Sequence, residues 1–265
     1  MAAVRESAVA GHFYPADPSV LRSTVSGLLD DVRVLEGRPP KALIAPHAGY
    51  IYSGPVAATA YARLRPHREL YRRVVLLGPS HYVGVSGLAL SGAEYFRTPL
   101  GDILVDRKFV DERSLPELAV NDATHAREHS LEVHLPFLQS VLDDFSLVPI
   151  VVGEAGALEV ADVLEQLWDG PETLIVVSSD LSHYLPYDQA QLHDRATCKS
   201  IERLETNNIS PHDACGSNAV NGLLEEARRK NLAITTLDLR NSGDTAGPTD
   251  HVVGYGAWLF TEPQK

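Results

Sequence analysis

The chain is poor in cysteine, in positive charge and in long apolar runs, and each shortage removes a class of protein. Its two cysteines, Cys198 and Cys215, cannot build a disulfide scaffold or a four-thiolate zinc site, and their spacing is not that of a redox pair. A reducing compartment suits them best. Lys and Arg number 23 against 35 Asp and Glu, a formal charge of −12 over 265 residues, so no nucleic acid and no anionic membrane is expected as the main partner. No stretch approaches the roughly 18 apolar residues needed to cross a bilayer, and the N-terminus lacks a signal-type apolar segment. A cytoplasmic protein is expected. There is also no Walker A loop, no GxGxxG fingerprint and no GxSxG elbow, which demotes nucleotide binding and serine hydrolysis.

What remains is a chain built to fold. Hydrophobic residues make up 44% and charged residues 22%, the composition of a globular core rather than of disorder. Short apolar runs alternate with helix-like stretches, the pattern of an α/β protein. Asp17-Pro18 reads as an N-cap and first-turn proline opening a helix through about Asp31. Strands are predicted at Lys41–Pro46, Arg73–Pro79, Leu88–Ser91, Leu147–Val152, Leu174–Val177, Leu232–Leu239 and Val252–Phe260. Helices are predicted at Pro55–Leu64, after Ser130 with Pro136 in the first turns, at Tyr187–Leu204 and at Pro211–Lys230. No linker interrupts this series, so a single three-layer domain over residues 1–265 is expected, a central sheet with helices on both faces.

Four strand candidates run into turns that carry chemistry. The first leads to His47, the second to Ser80-His81, the strand before Ser178 to Asp180 and His183, and the strand after Leu232 to the NSGDTAG turn with Asp244. Ligands of α/β sheets bind beyond the carboxyl ends of the strands, so the four turns could share one site. His47 and His81 are the best metal candidates, because neutral imidazole takes iron, copper or zinc; the bland alternative is a pair of hydrogen-bonded core histidines. Asp180 could orient His183 for proton transfer, or could simply be an N-cap. Asp244 could complete a two-histidine, one-carboxylate set of the non-haem iron(II) kind, or bond its own backbone as turn aspartates do.

Glu128, His129, Glu132 and His134 crowd the stretch EHSLEVHLPF. This is not the HExxH pattern. The acids would either complement a helix start at Ser130 or support a metal from one bond away. Tyr14, Tyr50 and Tyr82 are expected to pack in the core or at a rim.

The motifs APHAGYIYSGPVAATAY, LLGPSHY, EHSLEVHLPFLQ, SSDLSHY and NSGDTAG through VVGYGAW stand in the order and spacing of the Memo family, whose prokaryotic members are called AmmeMemoRadiSam system protein B. The resemblance runs from about His12 to Phe260. It implies a fold similar to the class III extradiol, LigB-type dioxygenases, with a central mixed β-sheet between helices. It implies His47 and His81 as metal ligands, His183 as the acid–base histidine, and Asp180 and Glu132 near the same cleft. The third ligand is glutamate in the dioxygenases and cysteine in animal Memo, at a position matched here to Thr245; threonine is a poor ligand, so neighbouring Asp244 takes the role. The family name implies association with AMMECR-type and radical SAM proteins. Three functions are then in view: an iron(II)-dependent dioxygenase or other redox enzyme acting on a small molecule, with copper or zinc as alternative metals; a binding or adaptor protein that keeps the cleft for a peptide or small ligand; and a metal-dependent hydrolase.

Overall fold

A computed structural model describes residues 2–33, 37–113, 115–206 and 208–263. In chain order it contains β1 (Val4–Arg5), α1 (Pro18–Asp30), β2 (Ala42–Ala45), α2 (Tyr50–Tyr61), β3 (Arg73–Pro79), β4 (Leu88–Leu90), β5 (Tyr95–Thr98) and β6 (Gly101–Leu104). After α3 (Arg107–Asp111) come β7 (Leu118–Val120), α4 (Asp122–Ala126), α5 (His129–Glu132), α6 (Leu135–Val141) and β8 (Ser146–Val152). The last third holds α7 (Ala157–Leu167), β9 (Thr173–Ser178), β10 (His183–Leu185), α8 (Tyr187–Glu202), α9 (Ser217–Arg229), β11 (Ala233–Asn241) and β12 (Val252–Thr261).

The main sheet runs β10-β12-β2-β9-β3-β8-β4-β7, with β11 paired to β12. Its centre is parallel: β2 with β9, β9 with β3, and β3 with β8. β12 and β4 join antiparallel at either side, so the sheet is mixed, as expected. The central strands are nearly continuous apolar runs because both of their faces are covered. Successive side chains point to opposite faces. Leu43, Val74, Leu76, Leu174 and Val176 therefore face one core with α1, α2 and α6, while Ile44, Val75, Leu77, Ile175 and Val177 face another with α7, α8 and α9. This is the three-layer arrangement.

Local signals explain most of the elements. Asp17 Oδ1 accepts hydrogen bonds from Ser19 N–H (2.9 Å) and Val20 N–H (3.0 Å), capping α1 as the sequence indicates. Two starts differ from expectation. α2 begins at Tyr50 rather than at Pro55, which lies inside it; proline's missing N–H costs one hydrogen bond but does not forbid the helix. α9 begins at Ser217 rather than at Pro211, because residues 211–216 form turns instead. The segment after Glu128 is broken into α5 and α6, with Pro136 at the start of α6. The cap of α5 is Glu128, whose carboxylate accepts the Ser130 N–H; Ser130 is inside the helix.

α5 is fixed by a close approach and by a buried ion pair. Gly78 in β3 has no Cβ; one placed there would stand 2.8 Å from Ser130 Oγ and 2.9 Å from Leu131 Cδ2. Ser130 Oγ donates to the Pro79 carbonyl at 2.8 Å, which ties the helix to the end of the strand. On its other side Glu132, fully buried, pairs with Arg5 and accepts from Tyr14 Oη, Ala8 N–H (2.8 Å) and Val9 N–H (3.1 Å). Arg5 also donates to the carbonyls of His125 (3.0 Å) and Glu128 (2.6 Å). Glu132, expected near the cleft, is thus a clasp for the N-terminal segment: both of its oxygens are spent on residues 5–14.

A buried carboxylate that loses its cation is left uncompensated, and such a loss costs about 3–5 kcal/mol. Arg5→Ala should therefore destabilise the protein by about that amount, seen as a lower urea midpoint, whereas Arg5→Met combined with Glu132→Gln should cost less than the single change.

Candidate metal centre

The carboxyl ends of β2, β3 and β9 lie side by side in the sheet, and the turns that follow them carry His47, His81 and Asp180. α5, packed on the end of β3, adds His129. His47, His81 and His129 each offer a ring nitrogen, and the three atoms lie within 4.8 Å of one another. The ring centroids are 5.2 Å apart for His47 and His81, 5.4 Å for His47 and His129, and 4.5 Å for His81 and His129. His47 is buried, His129 half-buried, and His81 sits at the mouth.

Hydrogen bonds fix which nitrogen is free. Ser178 Oγ gives its single proton to the Ser130 carbonyl at 2.6 Å, so towards His47 Nδ1, also at 2.6 Å, it can only accept. The His47 proton is therefore on Nδ1 and its lone pair on Nε2. His81 Nδ1 lies 2.8 Å from Glu128 Oε1, and an ionised carboxylate accepts only, which places the His81 lone pair on Nε2 as well. Burial pushes the Glu128 carboxyl up, but the hydrogen bonds from the His81 ring, from the His81 backbone and from Ser130 N–H outweigh it and hold it at about 2. Burial lowers His47 well below the usual histidine range, and the charge of His81 would lower it further. Burial, then His81, brings His129 to about 4. The rings of His47 and His129 are thus neutral donors at physiological pH.

The histidines are also held by their backbones. Asp180 Oδ1 accepts the His47 N–H at 2.8 Å, and Glu128 Oε2 accepts the His81 N–H at 2.6 Å. Both carboxylates are buried, and burial pushes the Asp180 carboxyl upward against the hydrogen bond from His47.

A residue that sequence reasoning set aside also belongs here. Cys215 Sγ is 3.4 Å from His47 Nε2 and 3.3 Å from Asp180 N. It arrives on the turn before α9, which can lie against the end of β9 only because residue 216 is glycine: a Cβ there would be 2.4 Å from the Ser178 carbonyl. Burial, with Asp180 adding to it, pushes the thiol up to about 12. Nothing in the local sequence of Cys215 marks it, since its neighbours at the site are 35 and 168 positions away. His129 had a signal, the crowding of EHSLEVH, but only the packing of α5 on β3 gives it a direction.

The remaining expectations divide. His183 is exposed at the start of β10, close enough for its charge to act on both His47 and Asp180. The Asp180 side chain bonds the backbone of His47 and Ala48 rather than the His183 ring. Asp244 is not among the clustered ligands. It is exposed, its Oδ2 accepts Asn241 N–H at 2.9 Å, and its other oxygen accepts from Tyr187 Oη. The capping box with Asn241 accounts for this, since a turn aspartate satisfies its own backbone first. Thr245 Oγ1 donates to the Ser242 carbonyl at 3.1 Å, so the cysteine side chain at the site comes from Cys215 and not from the Thr245 position. Tyr14 and Tyr50 are buried and Tyr82 stands half-exposed at the rim, its ring 5.9 Å from that of His129.

Fold and cluster together define a three-layer α/β protein with a candidate metal centre at the carboxyl edge of its parallel strands. A family model described as Memo-like protein matches residues 5–259, and the chain belongs to the Memo family. It is 35% identical over 269 residues to a MEMO1 family protein of Aquifex aeolicus, covering 97% of this chain and 99% of that one. It is 32% identical to a MEMO1 family protein of Desulfurococcus amylolyticus over 286 residues, 97% of this chain and 98% of the other. Its identity to the human Protein MEMO1 is 32% over 291 residues, 97% of each chain. No helix among the described residues is long and apolar enough to cross a membrane.

Groups that orient metal-ligating imidazoles typically contribute about 10–100-fold in metal affinity. Ser178→Ala should weaken binding of zinc or cobalt(II) by that factor with the far-ultraviolet circular dichroism unchanged, and Glu128→Gln should do the same. Asp244→Ala should leave the affinity as it is, measured in the same titration.

Proposed function

We propose that the protein is a metal-dependent redox enzyme acting on a small molecule, of the non-haem iron oxygenase kind, with the ion held by His47, His81 and His129 and with Cys215 in reach as a further donor. The observation that carries this reading is the tautomer control: Ser178 and Glu128 spend the Nδ1 protons of two separate histidines, and so leave two Nε2 lone pairs beside a third imidazole. A merely structural histidine pair has no need of that arrangement. The donor set fits the ion: imidazole suits iron, copper and zinc, and a nearby sulfur favours the softer of these. His129 Nδ1 is buried and makes no hydrogen bond, its nearest acidic neighbour being Glu128 Oε1 at 3.4 Å.

When bound, a first-row metal would supply Lewis acidity and, as iron or copper, electrons for oxygen chemistry. The chain supplies the rest. Asp180 and Glu128 hold the two turns by their backbone amides. His183, exposed beside the cluster, offers an imidazole to take a proton from an incoming hydroxyl and return it. His81, the exposed member of the cluster, is where that molecule would approach. A second reading, a binding protein that retains the centre without catalysis, is favoured by one feature: among the described residues no hydrogen bond joins a carboxylate to the His183 ring, the Asp180 side chain bonding the His47 backbone instead.

Protein purified without a nickel-affinity step should contain about one first-row metal per chain, and the pair His47→Ala, His81→Ala should contain none. With iron(II) and a panel of phenolic and enolic compounds, oxygen uptake should depend on His183, whereas His183→Ala should keep its metal. Metal uptake without oxygen consumption on any compound would favour the binding protein; absence of metal in the wild type would remove the centre altogether.

A further inference from the structure

Beside the cluster stands a cation that no carboxylate among the described residues answers. Arg127 is exposed at the end of α4, and its guanidinium carbon lies 5.2 Å from the centroid of the Tyr82 ring. Tyr82 is half-exposed and packs edge-on against His129 at 5.9 Å. The guanidinium is thus one aromatic ring away from the candidate metal ligands. Among the described residues it forms no ion pair, whereas eleven of the chain's eighteen arginines do, Arg5, Arg65, Arg68, Arg73, Arg97 and Arg229 among them. The acid next to it in sequence, Glu128, is turned inward, with its oxygens committed to His81 and Ser130.

Stacking on an aromatic face fixes a guanidinium while leaving its N–H edge free to bind a carboxylate. The summed negative charge of the chain does not cancel this, because exposed charges are screened beyond about 8 Å at physiological salt. A divalent ion held by imidazoles keeps a net positive charge even with Cys215 bound as a thiolate, so the centre itself favours an anionic ligand. Two positive features one ring apart select a molecule with two negative ends.

We propose that Arg127 anchors the anionic end of the molecule that binds at the histidine cluster, which makes that molecule a small carboxylic acid carrying a metal-chelating group at its other end. This inference rests on the metal-centre reading, and Arg127 acts in it as a specificity residue that touches the ligand and not the metal. A neutral chelator of the same head group would meet only the cluster.

The test uses the whole chain loaded with cobalt(II), whose visible spectrum reports ligation. Acetohydroxamate is compared with the monohydroxamates of succinate and adipate, which carry the same head and a terminal carboxylate at two lengths. The wild type should bind at least one carboxylated probe about tenfold more tightly than acetohydroxamate, in keeping with a charge-assisted hydrogen bond, and the preference should shrink with added salt. Arg127→Gln, which keeps a planar group over Tyr82, should lose the preference with cobalt uptake and acetohydroxamate affinity unchanged; Arg127→Lys should regain part of it. Equal affinities for all probes in the wild type, or an equal loss for all of them in Arg127→Gln, would overturn the proposal while the metal centre stands. Failure of the wild type to take up cobalt would overturn both.

Discussion

Two buried carboxylates hold the backbone amides of two histidines, and the geometry of the centre depends on that pair of contacts. Asp180, at the end of β9, accepts the N–H of His47 at the end of β2; Glu128, at the start of α5, accepts the N–H of His81 at the end of β3. Each is a hydrogen bond to a charged acceptor in a low-dielectric place, where such bonds are strong and where an unmade one is costly. Because each crosses from one element to the next, neither histidine can move without breaking a contact to a different strand or helix. The turns after parallel strands are the least constrained parts of an α/β sheet, and these carboxylates rigidify two of them.

Glu128 couples that restraint to the rest of the molecule. It caps α5, orients the His81 ring, and shares its helix with Glu132, which binds residues 5–14. The N-terminal segment therefore contributes to the site without touching it: Arg5 fixes α5 from one side, Gly78 lets β3 approach from the other, and His129 is aimed by the result. Dense polar motifs such as EHSLEVH are easily read as a set of ligands. Here four polar positions divide into a ring-orienting acid, a ring at the site, a fold clasp and a fully buried histidine bound to Tyr61.

Membership of the Memo family sets the fold but not the chemistry, since sites change faster than scaffolds. The arrangement brings three imidazoles together, two with fixed tautomers and one exposed, and among the described residues no hydrogen bond joins a carboxylate to the His183 ring. On the proposed reading this combination serves ligand capture with or without turnover, and recognition falls to the rim, where Arg127 and Tyr82 stand.

By itself the sequence determined the layer architecture. Short, β-branched apolar runs such as RVVLLGP, bounded by Gly and Pro, fit strands covered on both faces, and their alternation with amphipathic stretches puts helices on both sides of a parallel centre. It also raised the expectation that His47 and His81 converge, because both follow such strands and ligand sites form at their carboxyl ends, and the rings do meet. What only the tertiary structure decided was which side chain joins His47 and His81 in the cluster. Asp244 was the legible candidate, but its oxygens are captured by the Asn241 amide and by Tyr187, a local competition that a turn settles before any distant ion is offered. His129 and Cys215 reach the cluster through Gly78 and Gly216, positions where a missing side chain lets backbones approach. Local hydrogen bonding can be read along a chain; direction in space, for a residue delivered by packing, cannot.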